Sequence, residues 1–214
     1  LGTYYTEGLY KSKHAGTIGD FGVYSFNGNK IITTGGGGML VCKREEDSRL
    51  AKHLSTQAKS DEINFTHDMI GYNYRMTNLQ AALGLAQLEQ LESFIETKNR
   101  NYDAYKMKIQ RIPNLSLLNF RKGVRSNKWF YSLNVKDFSY DRSILIQKFH
   151  AEGIQTRPIW GLIHEQLPYE QAQSYHIEKA REYWSYILNV PCSTNLTISD
   201  VERVCDCLEA YTKE

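Results

Sequence analysis

The chain has 214 residues, with 26 Lys and Arg against 24 Asp and Glu and a formal net charge of +2. That length can bury a core as one large domain or two small ones, and the charge balance gives no bulk attraction to nucleic acid or to a membrane surface. No apolar run approaches the roughly 18 residues of a membrane span, and the start carries no signal-peptide pattern.

In chain order, Phe21–Phe26 reads as a strand rich in aromatics, and Met39–Cys42 as another. Between them runs Ser25-Phe26-Asn27-Gly28-Asn29-Lys30-Ile31-Ile32-Thr33-Thr34, followed by four consecutive glycines, Gly35 to Gly38. Four glycines together point to a backbone that turns tightly or passes close to something. A lysine beside such a turn is a candidate amine nucleophile, because burial lowers its pKa and frees its lone pair. The plainer reading is a solvated surface lysine.

A short helix is expected around Ser48–Ser55, and Asp61–Tyr74 is expected to be an irregular, aromatic-rich connection. Thr77 followed by Gln80 spells a capping box. Leu79, Leu83, Ala86, Leu88, Leu91 and Ile95 then recur at mostly three- to four-residue spacing, the pattern of an amphipathic helix. Carried to about Ile109, that helix would be roughly 45 Å long at 1.5 Å per residue. Pro113 ends it.

Beyond Pro113, Leu115–Phe120, Trp129–Val135 and Ile154–Thr156 read as strands, and Asp141–Glu152 as a helix among them. Helical patterns follow at Ile177–Tyr186 and Ser199–Tyr211, the second opening on a Ser199–Glu202 capping box. Strands alternating with helices indicate a compact α/β unit, and the domain boundary is placed near residue 112, giving 1–112 and 113–214. Cys42, Cys192, Cys205 and Cys207 form no Cys-x-x-Cys unit, so reduced cytosolic thiols are expected rather than a zinc site.

Three blocks carry a resemblance. The first is Gly16-Thr17-Ile18-Gly19-Asp20-Phe21-Gly22-Val23-Tyr24-Ser25-Phe26 leading to Lys30. The second is Gly71-Tyr72-Asn73-Tyr74-Arg75-Met76 with Leu79-Gln80-Ala81-Ala82-Leu83-Gly84, and the third is Thr156-Arg157-Pro158-Ile159-Trp160 with His164 and Gln166. In this order they resemble the sugar aminotransferases of the DegT/DnrJ/EryC1/StrS family, in which the corresponding lysine covalently anchors pyridoxal 5′-phosphate. The form Asn-Gly-Asn-Lys-Ile-Ile-Thr-Thr is most similar to the branch that aminates UDP-linked 4-keto-6-deoxy amino sugars.

The resemblance implies a fold and a set of roles. The layout would be the C-terminal part of a fold-type I aminotransferase: the end of the large cofactor domain, a long helix, then a small α/β domain. Lys30 would hold the cofactor and move protons, Ser25 would donate to its phosphate, and Asn73 would reach that phosphate from the neighbouring subunit of a homodimer. Arg75, Arg157 and His164 would meet a nucleotide-sugar substrate, with an amino acid, glutamate, as donor. Read from the residues alone, Ser25 is equally a strand hydroxyl, Asn73 a turn residue, Arg75 half of an ion pair and His164 a structural histidine. The related dehydratases carry His at the lysine position, so Lys30 favours amination over dehydration.

The matching aspartate for the cofactor ring would lie just ahead of Leu1-Gly2-Thr3, so the expectation is a fragment of such an aminotransferase; the alternatives are a catalytically incompetent dimerisation and substrate-lid module, or a same-fold sugar dehydratase. Gly36 stands where the family more often has an acidic residue. Asp20-Phe21-Gly22 is not a kinase motif, since no His-Arg-Asp loop precedes it, and the four glycines lack the Gly-Lys-Ser/Thr of a phosphate-binding loop.

Overall fold

In the computed structural model, which describes residues 1–213, packing divides the chain into two units. One comprises Leu1–Ile95 with Arg121–Asn127, the other Glu96–Phe120 with Lys128 onward. The elements in order are β1 (Tyr4–Tyr5), β2 (Phe21–Ser25), β3 (Gly38–Cys42), α1 (Glu45–Ser55), β4 (Lys59–Asp61), β5 (Thr66–His67), α2 (Asn78–Glu89) and α3 (Leu91–Ile109). They continue as β6 (Ser116–Leu117), β7 (Val124–Arg125), β8 (Tyr131–Asn134), α4 (Arg142–Ala151), β9 (Arg157–Pro158), α5 (Glu178–Tyr186), β10 (Ile187–Val190) and α6 (Ile198–Ala210).

The first unit rests on three antiparallel strand pairs, β1 with β7, β2 with β3 and β4 with β5. The β2–β3 register runs from Phe21 opposite Cys42 to Ser25 opposite Gly38. Tyr24 Oη donates to the Ala15 carbonyl at 2.8 Å, fastening the loop ahead of β2 to the hairpin. α1 begins with Glu45, Glu46 and Asp47 and ends with Lys52 and His53, charges that complement the helix dipole at each end. Its buried core is small: Phe26, Ile31, Ile32, Leu91 and Ile95, flanked by Leu1, Tyr24, Met76 and Phe94. At about 1.5–3 kcal/mol for each large apolar side chain removed from water, this cluster is what fixes the segment around Lys30.

α2 departs from that pattern. Thr77 and Gln80 close the capping box in both directions, yet no residue of this Leu- and Ala-rich helix is buried. The single long helix expected from the spacing is instead α2 and α3, interrupted at Gln90, whose backbone sits at φ −99° and ψ 0°. The connection 61–74 is also more ordered than expected, because β4 and β5 form a short hairpin with an irregularity between Lys59 and Asp61.

The second unit is a four-stranded antiparallel sheet in the order β6-β8-β10-β9. Leu133 and Tyr131 of β8 stand opposite Leu188 and Val190 of β10, and these four pack with Tyr102, Tyr105, Ile109, Leu145, Phe149, Val201, Val204 and Leu208 from α3, α4 and α6. Because the second part of α3 supplies Tyr102, Tyr105 and Ile109 to this core, packing divides the chain at residue 95/96, ahead of the boundary expected near 112.

Two strands are shorter or shifted. Leu115–Phe120 contributes only Ser116–Leu117, and the strand expected at Ile154–Thr156 lies at Arg157–Pro158, on the sheet edge where a proline's missing N–H is tolerated. α6 starts two residues early: Thr197 is its cap, closing a box with Asp200 rather than Ser199 with Glu202.

Candidate functional site

β2 ends at Ser25, and the chain then folds over itself. The Asn27 carbonyl accepts the Lys30 N–H at 3.0 Å, closing a tight turn. The Phe26 carbonyl accepts the Thr34 N–H at 3.0 Å and Thr33 Oγ1 at 3.0 Å, while Phe26 N–H donates to the Gly37 carbonyl. Phe26, Ile31 and Ile32 point into the core, so Lys30 is half-buried on a turn pinned from both sides. The Leu1 α-amino group lies close by: burial, and after it the positive charge of Lys30, push its pKa down.

Three of the four glycines have a structural reason. Gly35 and Gly37 sit at φ +78° and +88°, a region L-residues seldom adopt. A Cβ on Gly38 would stand 2.6 Å from the Tyr24 carbonyl. Gly36 has neither constraint. Ser25 is exposed at the strand end, its Oγ accepting from the Asn27 N–H at a long 3.4 Å.

Asn73 and Arg75 belong to the same unit. Backbone bonds from Tyr72 and Tyr74 to the Leu54 and Ser55 carbonyls, at 2.7 and 3.0 Å, fix the 72–74 segment against the end of α1. The Tyr72 and Tyr74 rings stack at 5.0 Å with 11° between their planes, leaving Asn73 exposed between them. Arg75 is exposed and forms no ion pair among the described residues.

Arg157 and His164 lie in the second unit. Arg157 is exposed at the start of the edge strand β9 and lines a cavity of about 410 Å³ with Gln147, His150 and Thr156. The Thr156 hydroxyl is buried without a hydrogen-bond partner. His164 occupies a short 3₁₀ turn at Ile163–Glu165. Its Nε2 faces Arg181 at 3.3 Å and Glu165 at 3.5 Å, and Arg181 pairs with Glu165 at 3.2 Å. The histidine is therefore held inside a small charged network.

Sequence reading passed over two further groups here. Ser132, Asn189 and Arg157 stand directly opposite one another across β8, β10 and β9, and Ser132 Oγ donates to Asn189 Oδ1 at 2.8 Å. Trp160 packs its ring against Trp129 and Phe130, at 5.5 and 5.1 Å between centroids. The signal for the first was present: an asparagine in the otherwise apolar strand Ile187-Leu188-Asn189-Val190.

The donor set around β2 and β3 fits pyridoxal phosphate. It offers a half-buried amine on a rigid turn and a hydroxyl at the strand end. An added Cβ at Gly28, Gly35 or Gly36 would meet nothing within 4 Å, so the backbone beside the lysine is open to a ligand. Among the described residues, no three His, Cys, Asp or Glu side chains gather as a metal site, and no helix is long and apolar enough to cross a membrane.

Comparison with known proteins gives the following. The sequence pattern of the DegT/DnrJ/EryC1/StrS aminotransferase family matches residues 1–209. EpsN of Bacillus subtilis (strain 168), whose name assigns it provisionally to the pyridoxal phosphate-dependent aminotransferases, is 34% identical over 94% of this chain and 52% of its own length. The GDP-perosamine synthase of Caulobacter vibrioides is 32% identical over 94% of this chain and 54% of its own. The crystal structure of the aminotransferase TlmJ from Streptoalloteichus hindustanus superposes with a TM-score of 0.87 at 23% identity, covering 97% of this chain and 55% of that one. The chain thus spans about half the length of the relatives it matches.

Proposed function

The chain belongs to the DegT/DnrJ/EryC1/StrS aminotransferase family, and on that footing we propose that it supplies the lysine-bearing part of a pyridoxal 5′-phosphate-dependent aminotransferase. The amino group passes from an amino acid, L-glutamate, to a nucleotide-linked keto sugar. The Asn27–Thr34 segment supports a UDP-linked 4-keto-6-deoxy-N-acetylhexosamine, made for cell-surface polysaccharide or glycan. The observation that carries this reading is the Lys30 turn, anchored by Ile31 and Ile32 and bordered by open glycine backbone.

When bound, pyridoxal phosphate supplies the electron sink for amino transfer. Lys30 would hold it through its Nζ amine, and that amine would serve as the base and acid for the proton that moves. The rigid turn matters because a proton carrier must hold its position to within hydrogen-bond reach. Ser25 donates to the phosphate. Asn73, exposed on a segment pinned to α1, is suited to reach into the site of a second copy, which makes the active assembly a homodimer. Arg75 and Arg157, with no carboxylate partner among the described residues, are each suited to phosphate oxygens of a nucleotide-sugar substrate, and His164 to a sugar hydroxyl. The functional boundary between cofactor and small domains is placed near residue 112. The four free cysteines support a reducing, cytosolic setting for this reading.

The test is the intact mass of the chain after borohydride reduction with pyridoxal phosphate. One phosphopyridoxyl group mapped to Lys30, and absent from Lys30→Ala, is the expected result. A folded chain that takes no adduct, or takes it elsewhere, removes Lys30 from the role.

A further inference from the structure

Asn189 is 7% exposed, and Ser132 Oγ occupies its carbonyl oxygen at 2.8 Å. Its amide nitrogen donates to no atom among the described residues. That nitrogen is not among the buried side-chain atoms left without a partner, so it reaches the surface of an otherwise buried residue and stays open to an acceptor from outside. The register settles what lies beside it. Arg157 is its direct partner on β9 and Ser132 its direct partner on β8, and directly opposed residues project from the same face of a sheet. That face is the one turned away from the helical core, because Leu133, Leu188 and Val190 point the other way.

Two donors therefore stand side by side, an amide and a guanidinium, with no acidic side chain paired to either among the described residues. Three residues beyond Arg157, Trp160 is 62% exposed while its ring packs tilted against Trp129 and edge-on to Phe130. An aromatic held edge and face by its neighbours, with one side in water, is a ready surface for a planar or sugar ring.

We propose that Asn189, oriented by Ser132, is a second donor to the diphosphate of a nucleoside diphosphate-linked substrate, acting beside Arg157. The proposal rests on the reading of Arg157 as a phosphate contact and deepens it. Asn189 supplies a directional neutral donor to a phosphate oxygen, and Arg157 supplies charge. Ser132 is a positioning residue: by holding Asn189 Oδ1 it turns the N–H pair outward. Without that bond the amide is free to flip and present an acceptor to an anion.

The experiment is calorimetric titration of the 214-residue chain with uridine 5′-diphosphate and, separately, inorganic pyrophosphate. Asn189→Asp keeps the shape and replaces the donor with a carboxylate, and we expect it to weaken uridine diphosphate binding about 10-fold or more. Ser132→Ala, which leaves the buried asparagine in place, is expected to weaken it about threefold. In the unmutated chain, the Asn189 side-chain amide resonances are expected to move on titration, a readout that needs no variant to fold.

If Arg157→Gln loses affinity while Asn189→Asp and Ser132→Ala keep it, the Asn189 assignment is overturned and the Arg157 reading stands. If Asn189→Asp loses affinity and Arg157→Gln does not, the Arg157 reading fails and Asn189 remains a ligand contact. Loss on His150→Gln with Asn189→Asp unchanged would put the anion in the cavity beside Thr156 and overturn the proposal. No binding of either probe overturns it too.

Discussion

The Lys98 ammonium donates to the carbonyl of Cys192 at 2.6 Å. A second bond reaches the Trp129 carbonyl at 3.1 Å, and Tyr131 Oη returns a bond to the Lys98 carbonyl at 2.8 Å. The lysine is 4% exposed, and burial pushes its pKa down. One side chain thereby ties α3 to the entry of β8 and the exit of β10. In Lys98→Met the stem is kept, the Cys192 carbonyl loses the ammonium and the Trp129 carbonyl keeps only the Cys192 thiol as a side-chain donor, so unfolding by urea should show a loss of about 2 kcal/mol. The exposed Lys52→Met should change stability by less than about 0.5 kcal/mol. Equal effects would remove the structural role of Lys98.

The glycine run makes a graded prediction. Gly38→Ala would set a Cβ 2.6 Å from the Tyr24 carbonyl, and forcing β3 away from β2 should cost about 1–3 kcal/mol. Gly36 meets nothing within 4 Å, so Gly36→Ala should change stability by about 0.5 kcal/mol or less. Thermal melts of the two variants side by side decide it; equal losses would mean that the run is needed for flexibility and not for backbone approach.

Lys179 and then Lys136 bond to Glu182, holding its carboxyl at about 2, down from 4.5. Between those values the unfolded chain binds more protons than the folded one, so this pairing stabilises above about 4.5 and is lost as the pH falls toward 2. The melting temperature of Glu182→Gln should accordingly fall less steeply than that of the unmutated chain over that window. Parallel curves would show that the two lysines contribute nothing.

Burial pushes the Cys205 thiol up to about 12. Since the thiolate is the nucleophile, iodoacetamide at pH 8 should leave Cys205 unmodified in the folded chain and label it once urea is added. Peptide mass mapping reads the result directly, and rapid native labelling of Cys205 would contradict the packing of α6 against the sheet.

Local rules read from the sequence worked where one residue type had one job. Thr77 with Gln80 capped a helix, Phe21–Ser25 formed a strand, and Lys30 fell on a turn between apolar anchors. They failed where two choices of similar energy competed. Thr197 and Ser199 are both good caps; the bonds from Leu196 N–H to the Ser193 carbonyl and from Asn101 to the Leu196 carbonyl hold the approaching loop so that Thr197 meets the helix first. The break at Gln90 has no proline or glycine to announce it, and the apolar spacing runs through it unchanged. The Ser132–Asn189–Arg157 row was hidden for another reason: it joins three strands distant in sequence, and only strand register brings them level.

α2 has a colloidal consequence. A helix whose leucines, Leu79, Leu83, Leu85 and Leu88, are all between 45% and 86% exposed presents water with an oily rod, and a net charge of only +2 supplies little mutual repulsion to keep two such rods apart. The tendency of this chain to self-associate in dilute buffer is thus expected to follow a twelve-residue helix of which no residue is buried.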